Sequence, residues 1–182
     1  DNNIIAFDLL GLEQSKELMN VVFLTINNII MSRATDPKIL NQKKIIVFDE
    51  VWSLLKSEEG ATFIEELYRT MRKYNAMVMS ITQDIEDFSN SSVARALLSN
   101  THQMMILRQT TGSNSERIGK ILDLNQSEEE LIKTLSQSPG LYSEVFLKMS
   151  GVGSGRMCIA PSPVEYWFAT TKAEDRDLIE NY

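Results

Sequence analysis

Between Lys43 and Glu50 the chain reads KKIIVFDE, a run of consecutive apolar positions closed at once by two carboxylates. A strand wetted on one face alternates polar and apolar residues. An uninterrupted apolar run instead predicts a strand covered on both faces, as in a parallel sheet between helix layers. In such sheets binding and chemistry gather beyond the carboxyl ends of the strands, so Asp49 and Glu50 stand where a site is expected.

The rest of the chain supplies the partners such a strand needs. Ile4 to Leu10 (IIAFDLL) reads as a short buried strand with Asp8 near its end, Asp8 serving either as a polar strand end or as a cap for the helix after it. Leu18, Val22, Phe23, Ile26, Ile29 and Ile30 recur at helical spacing, predicting a long helix from Gln14 to about Arg33 that Asp36-Pro37 terminates. Phe63, Leu67, Met71 and Tyr74 form the stripe of a surface helix whose other face carries Glu65, Glu66, Arg69, Arg72 and Lys73. Ala76 to Thr82 is the next strand, followed by a polar loop from Gln83 to Ser92, a short helix around Val93 to Leu98, and a strand from His102 to Leu107. Alternating strands and helices predict a parallel sheet with right-handed crossovers. Two short helices come next, Glu116 to Leu122 and Ser127 to Leu135, the second opened by a capping-box pattern of Ser127 and Glu130. YSEVFLKM, RMCIA and EYWFATT then alternate with strand period and predict an antiparallel appendage. The organisation read from this is α/β, a single domain over 1–182: a mainly parallel core part at 1–110, a helical segment at 111–138, and antiparallel strands with a terminal helix at 139–182.

Composition narrows the function classes. With 182 residues and 43% hydrophobic content the chain suffices for a substantial core, and its net charge of -7 argues against a general polyanion binder. One cysteine, Cys158, and one histidine, His102, build neither an internal disulfide nor the usual structural zinc site, which points to a reducing compartment. No apolar run approaches the roughly 20 residues of a bilayer span, so the segment reads as soluble. A chain that starts at Asp1 and turns strand-like at once reads as a piece of something longer.

In P-loop NTPases an apolar strand delivers an aspartate to the outer shell of a magnesium ion, and an adjacent glutamate orients or deprotonates the attacking water. Asp49 and Glu50 fit those roles, Asp49 reaching Mg2+ through water and so binding Mg-ATP; a strand that merely ends in an acidic turn also fits IIVFDE. Gln83, closing the next strand, places a side-chain amide beside Glu50, where it can bond both a water and a phosphate oxygen, or be a plain polar strand terminus. Arg69 has Glu65 four residues earlier as an ion-pair partner. Arg72 has no acidic neighbour at three or four residues on its helix, so it is either a solvated arginine or one that meets a phosphate held by a neighbouring subunit. Trp52, Leu54 and Leu55 read as packing, Met77, Met79, Met104 and Met105 as core filler, and His102 as structural. No G-x-x-x-x-G-K-[ST] occurs in the 182 residues, so the backbone cradle for phosphates is not among them and the isolated chain is expected to bind ATP poorly.

Taken in order, IIVFDEVWSLL, RKYNAMVMSITQDIEDF and NTHQMMILRQ resemble the C-terminal motor domain of the conjugative type IV secretion ATPases of VirB/TraC type, and GLYSEVFLKMSGVGSGRMCIAPSPVEYWFATT resembles the closing segment of the TraC-like members. The resemblance covers essentially the whole chain. It implies a RecA-like P-loop NTPase core of the HerA/FtsK branch that hydrolyses ATP with Mg2+, and a homo-oligomer, hexameric or a dimer of dimers. It also implies peripheral association with type IV secretion components at the cytoplasmic face of the bacterial inner membrane, and a role in pilus assembly and substrate transfer. On that model Asp49 matches the Walker B aspartate, Glu50 the catalytic glutamate, Gln83 the glutamine of the TQ motif, and Arg72 a position proposed to act across the subunit interface. The family's P-loop lies upstream of these segments. The alternatives are a catalytically inactive NTPase-like interaction module and a HerA/FtsK-like DNA pump; the net charge of -7 disfavours stable nucleic-acid binding.

Overall fold

The computed structural model describes residues 3–9, 15–55, 57–83, 92–109, 112–170 and 175. The chain divides into two compact units, Asp1–Asn100 and Thr101–Tyr182.

In the first unit, helix α1 (Lys16–Thr35) is capped by Ser15, whose hydroxyl accepts from the Leu18 N–H at 3.4 Å. Ser15 therefore takes the capping role considered for Asp8. Strand β1 (Lys44–Phe48) and strand β2 (Ala76–Ser80) pair in parallel, in register from Lys44 opposite Ala76 to Phe48 opposite Ser80. Between them run a short helix α2 (Trp52–Leu55), helix α3 (Glu58–Thr70) and a 3-10 turn (Met71–Tyr74). Ser57 caps α3 by accepting from the Gly60 N–H at 3.0 Å, and Gly60 lies so close to the Leu54 carbonyl that a Cβ has no room. The α3 stripe is as its spacing predicts: Ile64, Leu67 and Met71 are fully buried, each contributing about 1.5–3 kcal/mol of burial. Phe63 stands edge-on to Phe48 of β1, centroids 5.9 Å apart, and stacks on Phe23 of α1 at 6.1 Å, so three rings join helices to sheet. Helix α4 (Ser92–Asn100) packs against α3.

Some expectations for this unit change. Residues 4–9 form no strand and Ile4 is 85% exposed, because an apolar run becomes a strand only where another strand satisfies its backbone groups; Leu10 lies outside the described residues. The sheet is covered on one face: Ile45, Val47, Met77 and Met79 are exposed, so Met77 and Met79 are surface and not core filler. Leu54 is buried as expected, whereas the Trp52 side chain and most of the loop after Gln83 lie outside the described residues.

In the second unit, strand β3 (Gln103–Leu107) pairs antiparallel with strand β5 (Tyr142–Met149), correcting the expectation that it extends a parallel sheet. Met105 on β3 is exposed. Helix α5 (Gly112–Ile121) leads to helix α6 (Gln126–Lys133), whose capping box is formed by Asn125 and Glu128, not Ser127 and Glu130. The short strand β4 (Gln137–Ser138) and strand β6 (Gly153–Ile159) also pair antiparallel with β5. EYWFATT, expected as a strand, is largely helix α7 (Pro163–Ala169), because Ser162 and Glu165 close a second capping box with proline in the first turn. The expected terminal helix falls almost wholly outside the described residues.

Candidate active site

At the carboxyl end of the parallel pair the chain leaves β1 through a turn stapled to β2. The Ile81 N–H donates to the Phe48 carbonyl at 2.9 Å, and the Val51 N–H donates to the Ile81 carbonyl at 3.1 Å. Only Asp49 and Glu50 lie between these two bonds, so their backbone is fixed on both sides. The turn is closed by a left-handed residue, Glu50, with φ of 51°, a conformation that non-glycine side chains adopt at a cost of order 1–2 kcal/mol. The Glu50 N–H donates to Asp49 Oδ1 at 3.1 Å.

This geometry brings together three of the four residues singled out from the sequence. Gln83, three residues beyond β2, donates through Nε2 to Glu50 Oε1. Glu50 is half-buried, while Asp49 and Gln83 are exposed, so the carboxylates face solvent beside a side-chain amide. The arrangement can hold a water by accepting its hydrogens at Glu50 while Gln83 retains a second N–H for another acceptor.

Arg72 is not brought there. It sits in the 3-10 turn before β2, at the amino end of the strand, and the four steps from Ala76 to Ser80 separate the two ends by about 13 Å. Its side chain is exposed and has no partner among the described residues. Arg69 makes the ion pair its spacing predicts, with Glu65 at 2.7 Å. One contact has no sequence signal: the Tyr68 hydroxyl, on α3, donates to Ser80 Oγ at 2.8 Å. Burial pushes the Tyr68 phenol above its usual range, and the bond to Ser80 offsets part of that.

The donor set fits a lightly held magnesium ion. No cluster of three or more His, Cys, Asp or Glu side chains able to cage a metal occurs among the described residues. Magnesium keeps most of its waters and takes one or two carboxylates together with substrate phosphates, which an exposed Asp49 at a strand end can supply.

The family described as the TraG P-loop domain matches residues 1–182. The chain belongs to that family. Among relatives of this TraG-type domain, protein TraC of Escherichia coli (strain K12) is 36% identical over 116 residues, covering 60% of this chain and 13% of TraC. The type IV secretion system protein virB4 of Bartonella quintana is 26% identical over 98 residues, 54% of this chain and 12% of that protein. The type IV secretion system protein CagE of Helicobacter pylori is 26% identical over 107 residues, 59% of this chain and 10% of CagE. The structure of VirB4 of Thermoanaerobacter pseudethanolicus superposes with a TM-score of 0.63 at 22% identity, over 91% of this chain and 43% of that one, which establishes the shared α/β fold. The TraG-type domain thus spans about a tenth of the curated relatives it matches and under half of the solved one. Among its described residues no helix is long and apolar enough to cross a membrane.

Proposed function

We propose that this TraG-type domain carries the water-activating half of an ATP-hydrolysing site in a motor that energises type IV secretion, including conjugative pilus assembly and substrate transfer. The observation that carries the reading is the Gln83–Glu50 hydrogen bond at the carboxyl end of paired parallel strands, in a chain whose family is a P-loop domain. Glu50 is the general base or water-orienting group, Gln83 fixes its carboxylate and senses the phosphate beyond it, and Asp49 is the Walker B residue that meets Mg2+ through water. The bound Mg-ATP supplies the phosphoryl group and the charge neutralisation; the phosphate cradle comes from a segment not among these 182 residues.

Arg72, exposed and remote from Glu50, is the residue for a phosphate held by a neighbouring subunit, which makes the active assembly a homo-oligomer, hexameric in the proposed form. The motor acts at the cytoplasmic face of the bacterial inner membrane, on type IV secretion components. The virB4 and CagE relatives are type IV secretion system proteins by name, which supports the link to those components.

In the full-length protein, Glu50→Gln removes ATP turnover while leaving ATP affinity within a few-fold of the parent, read by phosphate release and nucleotide titration on the same preparation. Retained turnover in that variant overturns the assignment of Glu50.

A further inference from the structure

Tyr68 and Ser80 lie outside the catalytic set, yet their bond is made at the end of β2, beside that set. Ser80 is the last residue of β2 and stands opposite Phe48, the residue before Asp49. The next residue, Ile81, makes both backbone bonds that staple the turn holding Glu50, and Gln83 comes two positions later. Along this stretch a side-chain hydrogen bond from another element reaches Ser80, from Tyr68 on α3 at 2.8 Å. Tyr68 is itself anchored, because its neighbours Ile64, Leu67 and Met71 are fully buried and leave α3 little freedom to move. Polar bonds that hold a supporting residue in place set the geometry of the group next to it in the chain, and errors of about 1 Å at a site of this kind cost catalysis.

We propose that Tyr68 is a positioning residue: through Ser80 it fixes the end of β2 so that the Gln83 amide meets the Glu50 carboxylate. This rests on the reading of Glu50 and Gln83 given above. Because α3 continues directly into the turn bearing Arg72, the same bond ties the helix that would face a neighbouring subunit to the end of the strand where water is activated.

The test uses the 182-residue chain, isotopically labelled, with the Gln83 side-chain amide resonances as readout and no dependence on turnover. Glu50→Ala removes the acceptor and defines the displacement of the Gln83 signal that loss of the contact produces. Tyr68→Phe, which keeps the ring and removes only the hydroxyl, is expected to move the Gln83 signal in the same direction by a substantial fraction of that displacement, as is Ser80→Ala. The double variant Tyr68→Phe with Ser80→Ala is expected to match either single one. If Glu50→Ala leaves the Gln83 signal in place, the contact at the site is wrong and the reading of Glu50 falls. If Glu50→Ala moves it but Tyr68→Phe and Ser80→Ala shift only their immediate neighbours, the site stands and the positioning role of Tyr68 is overturned.

Discussion

The left-handed backbone at Glu50 offers a prediction independent of nucleotide. With φ of 51°, any residue bearing a Cβ at position 50 pays a steric cost that glycine avoids. Glu50→Ala and Glu50→Gly both delete the carboxylate and its bond from Gln83, so the difference between them isolates the backbone cost. That difference is of order 1 kcal/mol in favour of glycine, even though glycine usually destabilises by roughly 0.5–1 kcal/mol in regular structure. For a chain of this size 1 kcal/mol shifts the melting temperature by about 2–4 °C. Chemical denaturation of the two variants, with equal m-values as the check that unfolding stays cooperative, measures it directly. Neither variant supports turnover in the full-length protein, so Glu50→Gly is expected to be the more stable of two inactive proteins. If Glu50→Ala proves as stable as Glu50→Gly, the turn is not strained at this residue and the account of how Glu50 is aimed fails.

Two further outcomes concern other parts of the molecule. Arg72→Ala is expected to abolish ATP turnover in the assembled full-length protein while leaving nucleotide affinity unchanged, and mixing it with Glu50→Gln subunits is expected to restore part of the activity; equal loss in a strictly monomeric preparation shows a local role instead. In the second unit, Ser136 donates to the Glu144 carboxylate from both its hydroxyl and its N–H, each at 2.8 Å, and with Arg156 beside it these bonds hold the carboxyl below its usual range. A depressed folded-state value means the stabilisation is complete above about pH 4.3, the unfolded glutamate range, and is lost as the pH falls through the lower folded value. Glu144→Gln is therefore expected to flatten the acid limb of the stability curve below about pH 4.3, and an unchanged acid limb contradicts the assignment.

How far the sequence reveals this protein depends on which forces act locally. β1 and its two carboxylates are legible because four apolar positions in a row, Ile45 to Phe48, end at once in Asp49 and Glu50, and the buried stripe of α3 is legible because its period is helical. Gln83 is legible as a neighbour of Glu50 because parallel pairing places the ends of β1 and β2 together. The aromatic run Tyr166 to Phe168 reads as a strand from side-chain preference, yet the Ser162 and Glu165 capping box decides for a helix. β3 and residues 4–9 mislead for another reason: strand pairing is settled by partners distant in sequence, which no local pattern specifies. Neither the positive φ at Glu50 nor the Tyr68–Ser80 bond leaves a trace in composition or spacing, since one comes from how the turn is stapled and the other from how α3 lies over the sheet.

The role of Glu50 in orienting the attacking water is decided by a structure of the full-length protein with Mg2+ and a transition-state mimic of the γ-phosphate. The Glu50 carboxylate is expected within hydrogen-bond reach, about 2.6–3.2 Å, of the water in line with the γ-phosphate, with Gln83 still bonded to it and Asp49 joined to the ion through water. A Glu50 carboxylate turned away from the phosphate, with another side chain holding that water, would contradict it.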